Sequence, residues 1–313
     1  GSTLELPFEY KVTIYACGEI YIPNSSIAIY WKNGVATTLT DGSKYARANV
    51  ITADGDDVYV AGYIGNVATL WKNGISTSLS DGTHQAKVTG ISIVGKDVYL
   101  VGTDGEFVKL WKNGISTIIS KNCIRATASA IHIKGNDIYI AGSVFNNSNY
   151  NATIWKNGVS NYLTTNSNQV FLYGITGAGS DIYAVGIEDY NNNKYAVAKV
   201  WKNGVSSTLS DGTKGEYPTG VVVVNDDVYI SGYVDGASLR SAKYWKNGTS
   251  IYLNNGDYDS GCYSITSSGS DFYIVGYDTN SNYRSVAKYW KNGLAVSLSD
   301  GITDANAFGI CIK

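Results

Sequence analysis

Trp111-Lys112-Asn113-Gly114 is one of seven copies of the same four residues in this chain of 313 residues. The motif recurs every 40 to 46 residues, and every Trp of the chain belongs to it. A constant period in this range is typical of stacked supersecondary units, and about 40 to 50 residues suits the four-stranded blade of a β-propeller. The seven motifs begin at Trp31, Trp71, Trp111, Trp155, Trp201, Trp245 and Trp290.

The third repeat shows how one unit divides into four strands, which we name A, B, C and D. Residues 89–94 and 97–102 are rich in Val, Ile and Tyr, which strands prefer, and a Gly-Lys turn separates these predicted strands A and B. Asn113-Gly114 separates the predicted strands C and D, 107–112 and 115–119. Asn-Gly between two apolar runs strongly indicates a type I′ hairpin. No stretch indicates an amphipathic helix, so the chain is predicted to be all-β.

The two ends of the chain complete each other. The last strand A candidate, 308–312, has no strand B after it, whereas the first strand B, near 13–18, has only a weak strand A candidate at 6–10. We therefore predict seven blades of four antiparallel strands, in a ring closed by the C-terminal strand joining the N-terminal blade. Cys17 and Cys311 then become diagonal neighbours, either as a disulfide or as two of four small buried thiols.

Composition excludes several classes of protein. Hydrophobic residues make up 44% and charged residues 16%, so the chain has enough apolar side chains for a large core. A net charge of −2 without a basic run argues against nucleic-acid partners, and no apolar stretch is long enough for membrane insertion. The 26 Tyr residues, with frequent Asn, Ser and Thr, favour an extracellular or bacterial cell-surface location, with the periplasm as an alternative. Gly1-Ser2 is interpreted as a tag remnant and 3–313 as one domain, expected to be a monomer.

The third repeat resembles a WD40 repeat. The residues on which the resemblance rests are Val-Lys-Leu-Trp-Lys-Asn-Gly at 108–114, with Trp at the end of strand C, and Gly-Lys-Asp-Val-Tyr-Leu-Val-Gly at 95–102. The resemblance implies a seven-bladed propeller, like bacterial secreted or surface propellers with Trp-Lys-Asn-Gly repeats. Lys replaces the Asp that follows Trp in that family, and no Gly-His precedes strand A, so the family's Asp-His-Ser/Thr-Trp network is not expected here.

The B–C and D–A loops are predicted to form one face of the ring, and this face varies between repeats. A repeat array places its insertions on its binding face. Tyr rings can stack on sugar C–H surfaces while Asn and Asp bond hydroxyl groups, although the same residue types also suit protein recognition or plain solvated loops. The candidate ligand-binding residues are Tyr150, Tyr190, Tyr195, Tyr233, Tyr277, Tyr283, Asn147, Asp189, Asn192 and Asp278.

A second candidate site is a ring of positions just before the predicted strand A. The residue type at this position changes from blade to blade, whereas its repeat neighbours are regular. We expect it to line the mouth of the central channel, where one asymmetric ligand would require such variation. The ring contains Arg47, Lys87, Thr127, Phe171, Tyr217, Gly261 and Asn306.

Three functional hypotheses remain open from the sequence. The first is non-catalytic recognition of a glycan on the loop face, and the second is a protein–protein interaction platform on the same face. The third is a propeller lyase or hydrolase, although only two His residues and no catalytic motif are present. No catalytic residue, metal site or cofactor is predicted, and the Trp residues are expected to fill the seams between blades.

Overall fold

The computed structural model describes residues 12–164, 168–189 and 195–313. These residues form 28 strands in seven four-stranded antiparallel sheets and include no helix. The predicted propeller is confirmed, and so is its closure, since Ala305–Ile312 pairs with Ile14–Ile22 in the first blade. The weak candidate at 6–10 lies outside the described residues. The described part of the chain has no helix that is long and apolar enough to cross a membrane.

Each blade runs from an inner strand A to an outer strand D. Blade 1 combines β28 (Ala305–Ile312) with β1 (Ile14–Ile22), β2 (Ser25–Lys32) and β3 (Val35–Thr38). The A strands are β4 (Ala46–Asp54), β8 (Ala86–Val94), β12 (Arg125–Lys134), β16 (Gln169–Ala178), β20 (Gly215–Val224), β24 (Ser260–Ser268) and β28 (Ala305–Ile312). The B strands are β1 (Ile14–Ile22), β5 (Asp57–Ile64), β9 (Asp97–Asp104), β13 (Asp137–Asn146), β17 (Asp181–Asp189), β21 (Asp227–Asp235) and β25 (Asp271–Thr279).

The A strands above belong in turn to blades 2 to 7 and then to blade 1, whereas the B, C and D strands belong in turn to blades 1 to 7. The C strands are β2 (Ser25–Lys32), β6 (Val67–Lys72), β10 (Phe107–Lys112), β14 (Asn149–Lys156), β18 (Val197–Lys202), β22 (Arg240–Lys246) and β26 (Ser285–Lys291). The fully exposed D strands are β3 (Val35–Thr38), β7 (Ile75–Ser78), β11 (Ile115–Ile118), β15 (Val159–Tyr162), β19 (Val205–Thr208), β23 (Thr249–Tyr252) and β27 (Leu294–Ser297).

The inner strands begin earlier than predicted. In blade 3 strand A starts at Ala86, three residues before the predicted start at 89, and strand B continues to Asp104. A β-bulge at Thr89 is the reason, because it lets Ala86–Val88 continue the ladder opposite Gly102–Asp104. Gly102 has to be Gly here, since a Cβ would lie 1.9 Å from the Lys87 carbonyl oxygen. The same close approach recurs at the matching Gly of every blade.

The Trp-Lys-Asn-Gly turns bind the start of strand B in their own blade. In blade 2 Asn73 and Gly74 have φ values of 51° and 82°, which confirms the type I′ prediction. Asn73 accepts a hydrogen bond from the Val58 N–H and donates one to Asp57 at 2.7 Å. Lys72 Nζ lies 2.8 Å from the other Asp57 oxygen. The equivalent carboxylates in blades 3 to 7 are Asp97, Asp137, Asp181, Asp227 and Asp271.

These carboxylates predict that the propeller loses stability in acid. The hydrogen bond from Lys72, followed by that from Asn73, lowers the pKa of Asp57 in the folded protein, and the five equivalent Asp residues are shifted likewise. A folded-state pKa below the unfolded value of about 3.9 means that the stabilisation is complete above that value and is lost as pH falls through the folded pKa. We expect the Tm to fall steeply below about pH 4.

The Asp57→Asn variant tests this mechanism against its neighbour Asp56→Asn. Asp57→Asn should lower the Tm at pH 7, and the difference from wild type should narrow as pH falls through the lowered folded pKa of Asp57, where the wild-type carboxyl becomes protonated too. Asp56→Asn, outside the cluster, should follow wild type throughout. Thermal unfolding followed by circular dichroism from pH 7 to pH 3 measures both, and a pH-independent Asp57→Asn deficit would contradict the mechanism.

Each Trp lies in the seam between its own blade and the preceding one. All seven side chains are at most 2% exposed. Trp111 of blade 3, for example, packs against Ala61 and Ala68 of blade 2, and its indole N–H donates to the Leu79 carbonyl at 3.0 Å. No Trp ring is therefore open as a stacking surface for a ligand.

The four cysteines are free thiols. Cys311 lies opposite Tyr15 and Cys17 opposite Gly309, which is the diagonal arrangement expected. Cys17 is fully buried among apolar residues facing blade 2, and this burial raises the pKa of its thiol. Cys262 is buried in the same way between blades 6 and 7.

Candidate functional site

The A strands surround a central channel with a cavity of about 1260 Å³. This exceeds the roughly 300–1000 Å³ of typical small-molecule sites, so the cavity has room for a ligand of several rings. The B–C and D–A loops surround its mouth.

Two rings of side chains come from the A strands at this mouth. The upper, mouth ring is the one identified from the sequence. The lower, bulge ring consists of the residue at the β-bulge of each inner strand, and all seven of its members line the cavity. The bulge ring contains Asn49, Thr89, Ser129, Tyr173, Thr219, Tyr263 and Phe308.

Together the two rings divide the channel into an aromatic side and a polar side. Each of four consecutive blades, 5, 6, 7 and 1, contributes at least one aromatic ring at these positions, whereas blades 2, 3 and 4 contribute only polar or charged side chains. The aromatic side contains Phe171, Tyr173, Tyr263 and Phe308, which line the cavity. Tyr217 occupies the mouth-ring position of blade 6 on the same side but is not among the residues that line the cavity. The polar side contains Arg47, Asn49, Lys87, Thr89, Thr127 and Ser129.

Three Tyr residues predicted on the B–C loops lie instead at the loop-side ends of strands, and their rings contact the aromatic side: Tyr150 in β14, Tyr233 in β21 and Tyr277 in β25. Tyr150 of blade 4 lies against Phe171 of blade 5, with ring centroids 4.9 Å apart. Tyr233 stacks on Tyr217 at 5.2 Å within blade 6. These contacts extend the aromatic surface from the channel to the loop face.

Blade 7 continues this surface. Tyr277 stacks on Tyr263 at 6.0 Å, and Tyr263 lies 4.7 Å from Phe308. Burial raises the pKa of Tyr263 to about 12, although the positive charge of Arg240 opposes this shift. The Tyr277 hydroxyl donates to Asp259 at 2.5 Å, and burial followed by this bond raises its pKa further. Both phenols therefore stay neutral at physiological pH and present uncharged aromatic faces.

The polar side begins with Arg47, next to Phe308. The Arg47 guanidinium lies 4.4 Å above the Phe308 ring and forms a 2.7 Å ion pair with the buried Glu19. Asn49 donates to the Val88 carbonyl at 2.7 Å, and Thr89 to the Ala128 carbonyl at 2.9 Å. These two bonds run from one inner strand to the next, so they hold the polar wall in place.

Other predicted residues lie on the loops away from the channel or already form an ion pair within the protein. Tyr283 is 80% exposed on the blade 7 B–C loop, with its ring edge-on to Tyr258. Asn147 has φ 56° at the blade 4 loop tip, and Asp189 ends β17 in solvent. Asp278 pairs with Lys288 at 3.2 Å. Tyr195 is half-buried just before β18, and Tyr190 and Asn192 lie outside the described residues.

The remaining members of the mouth ring differ in their surroundings. Thr127 lines the cavity. Gly261 is buried. Asn306 is 9% exposed, accepts from the Ser285 hydroxyl at 2.7 Å and donates to the Tyr21 hydroxyl at 3.3 Å. The described residues contain no group of three or more His, Cys, Asp or Glu that could hold a metal ion.

Comparison with known proteins gives likenesses of structure alone. No family model matches the sequence, and neither does any curated protein. A structure of prolyl endopeptidases has a TM-score of 0.53 at 10% identity, covering 97% of this chain and 50% of that chain. Acylaminoacyl peptidase from Pyrococcus horikoshii has a TM-score of 0.52 at 10% identity, covering 93% and 51%.

TolB from Acinetobacter baumannii has a TM-score of 0.48 at 8% identity, with 77% of this chain and 63% of that chain covered. The chain spans about half the length of the two peptidase structures. At 10% identity the likeness to the two peptidase structures is one of architecture. The chain shares the β-propeller fold with the propeller parts of these peptidases.

Proposed function

We propose that this protein is a non-catalytic binding protein that recognises a glycan at the loop face of its propeller, where the channel opens. The observation that carries the proposal is the division of the channel mouth into an aromatic arc and a polar arc, which are the aromatic side and the polar side described above. Sugar rings have apolar C–H faces and polar edges, so they can stack on one arc while their hydroxyls bond the other. A concave site with aromatic walls and a few placed polar groups is typical of small-molecule recognition.

A Tyr217→Ala variant tests the aromatic arc. Loss of one stacking ring should weaken glycan binding about tenfold, since aromatic contacts contribute about 0.5–1.5 kcal/mol beyond burial and 1.4 kcal/mol is tenfold in affinity. The measurement is a glycan-array screen of the wild-type protein, followed by titration calorimetry of each bound glycan with both proteins.

Tyr162→Ala is the matched control. Tyr162 lies on the outer strand β15 and is 47% exposed, far from the channel. Binding that Tyr217→Ala weakens and Tyr162→Ala keeps would support the proposal. Equal binding by all three proteins would show that the aromatic arc does not contribute to glycan binding. No binding by folded wild-type protein would refute glycan recognition.

A protein-interaction platform on the same face is the second candidate, and exposed apolar loop residues favour it. Tyr45, Ile124, Tyr283 and Ile302 are 57%, 65%, 80% and 76% exposed on the D–A and B–C loops. Such side chains suit the core of a protein interface better than a sugar site. This candidate would be supported if the folded wild-type protein binds no glycan but binds a protein partner, and if the Ile302→Ser variant no longer binds that partner.

The finer assignments are proposals as well. A WD40-like classification is supported by the Trp at the end of each strand C. In blades 2 to 7 the turn after this Trp is held by a cluster of Asp, Lys and Asn and not by the hydrogen-bond network of the WD40 family. A location outside the cytoplasm, at the cell surface or in the periplasm, is supported by the Tyr-, Asn- and Ser-rich composition. A monomeric state agrees with a ring whose inner strands are all paired.

A further inference from the structure

The channel is electropositive although the chain is acidic overall. Three cationic side chains line it, Arg47, Lys87 and Arg125, and one carboxylate, Glu106, together with the ring of His84. The whole chain has a net charge of −2. A cleft lined by one sign of charge concentrates ligands of the opposite sign.

Lys87 differs from the other two cations because no carboxylate in the described part of the chain neutralises it. Arg47 pairs with Glu19, and Arg125 pairs with Glu106 through two nitrogens. Within the described residues Lys87 has no salt bridge and no side-chain hydrogen bond, and its side chain is exposed in the channel mouth. Desolvation by the channel wall, followed by repulsion from Arg47, lowers the pKa of Lys87. An anion bound here would relieve both effects.

Arg47 also keeps donor capacity. Its Nη2 binds Glu19, while its buried Nε–H has no hydrogen-bond partner among the described residues. A guanidinium has five N–H donors, and one contact to Glu19 leaves it able to bind a second acceptor. Arg47 and Lys87 occupy the same ring position on adjacent blades, so they can act on one group.

We infer that the glycan recognised at this mouth is acidic, with a uronate carboxylate bound to Lys87 and assisted by Arg47. The inference rests on the proposed function and names its ligand class. A sugar ring stacked on Tyr263 of blade 7 lies across the cavity from Lys87 of blade 3, so its carboxylate can reach the unneutralised cation. A neutral glycan would further desolvate Lys87 without compensating its charge, which costs binding free energy.

The test uses matched acidic and neutral glycans. Oligomers of galacturonate, glucuronate and mannuronate are each compared with their own methyl esters, which keep the size and ring shape and remove the charge. A charge-assisted hydrogen bond contributes about 1.5–3 kcal/mol, so esterification should weaken binding at least about tenfold. Lys87→Gln should weaken binding of the acid by a similar factor and leave the ester almost unchanged.

Lys96→Gln is the control, since Lys96 lies in the A–B turn of the same blade, on the opposite face of the ring. It removes the same charge and should leave acid binding unchanged. Equal binding of acid and ester, or acid-selective binding that survives Lys87→Gln, would overturn the inference while glycan recognition stands. Failure of the folded protein to bind any acidic or neutral glycan would instead overturn the proposed function, and the inference with it.

Discussion

A chain that lacks residues 306–313 should fail to give a soluble, cooperatively folding propeller. These residues form almost all of β28, the inner strand of blade 1. Ala307 and Ile310 pack into the seam with blade 7, while Cys311 packs toward blade 2. Their removal opens both seams and leaves β1 with an unpaired edge, which is prone to aggregation. Burial lost at Ile310 alone costs about 2–5 kcal/mol, which lowers the Tm of a chain of 313 residues by about 3–8 °C, so any soluble fraction should melt at least about 3 °C lower.

The loss should be reversible in trans. A synthetic peptide of residues 303–313 can add to the vacant inner position as a strand, because main-chain hydrogen bonds supply much of the affinity in such complementation. Adding the peptide during refolding should restore solubility and melting, and the same peptide with Ala307→Lys should not. Differential scanning fluorimetry after gel filtration gives the readout. A truncated chain that melts like the full-length protein would show that ring closure does not matter for stability.

The repeat pattern predicts most of the fold because its signals are local. Asn73-Gly74 needs no tertiary information to favour positive φ, and the missing partners at the two chain ends follow from counting strands. The start of strand A was predicted too late because it depends on a β-bulge. A bulge residue such as Thr89 looks like any other strand residue in the sequence. The recurrent strand B Gly, exemplified by Gly102, was the available signal, since only close backbone approach requires it.

The candidate site was only partly predictable for the same reason. Variation at a fixed repeat position identifies Arg47 and Lys87, but it cannot show that Glu19 neutralises the first, whereas no carboxylate of the described residues neutralises the second. The contact between the Tyr150 and Phe171 rings joins strands of two neighbouring blades. Contacts of this kind depend on the rotation between neighbouring blades, and the sequence of one repeat contains no information on that rotation.

Trp111→Ala should be among the most destabilising single substitutions in the chain. The indole is fully buried between blades 2 and 3, and its N–H satisfies the Leu79 carbonyl. Removing it leaves a cavity in the seam and an unpaired carbonyl, and Trp→Ala changes in cores cost about 3–5 kcal/mol. Ile115→Ala is the matched control, since this side chain of the same blade is 75% exposed on the outer strand and should change stability by less than about 0.5 kcal/mol. Chemical denaturation of wild type and both variants measures the difference. Similar free energies of unfolding for all three proteins would contradict a structural role for the seam Trp.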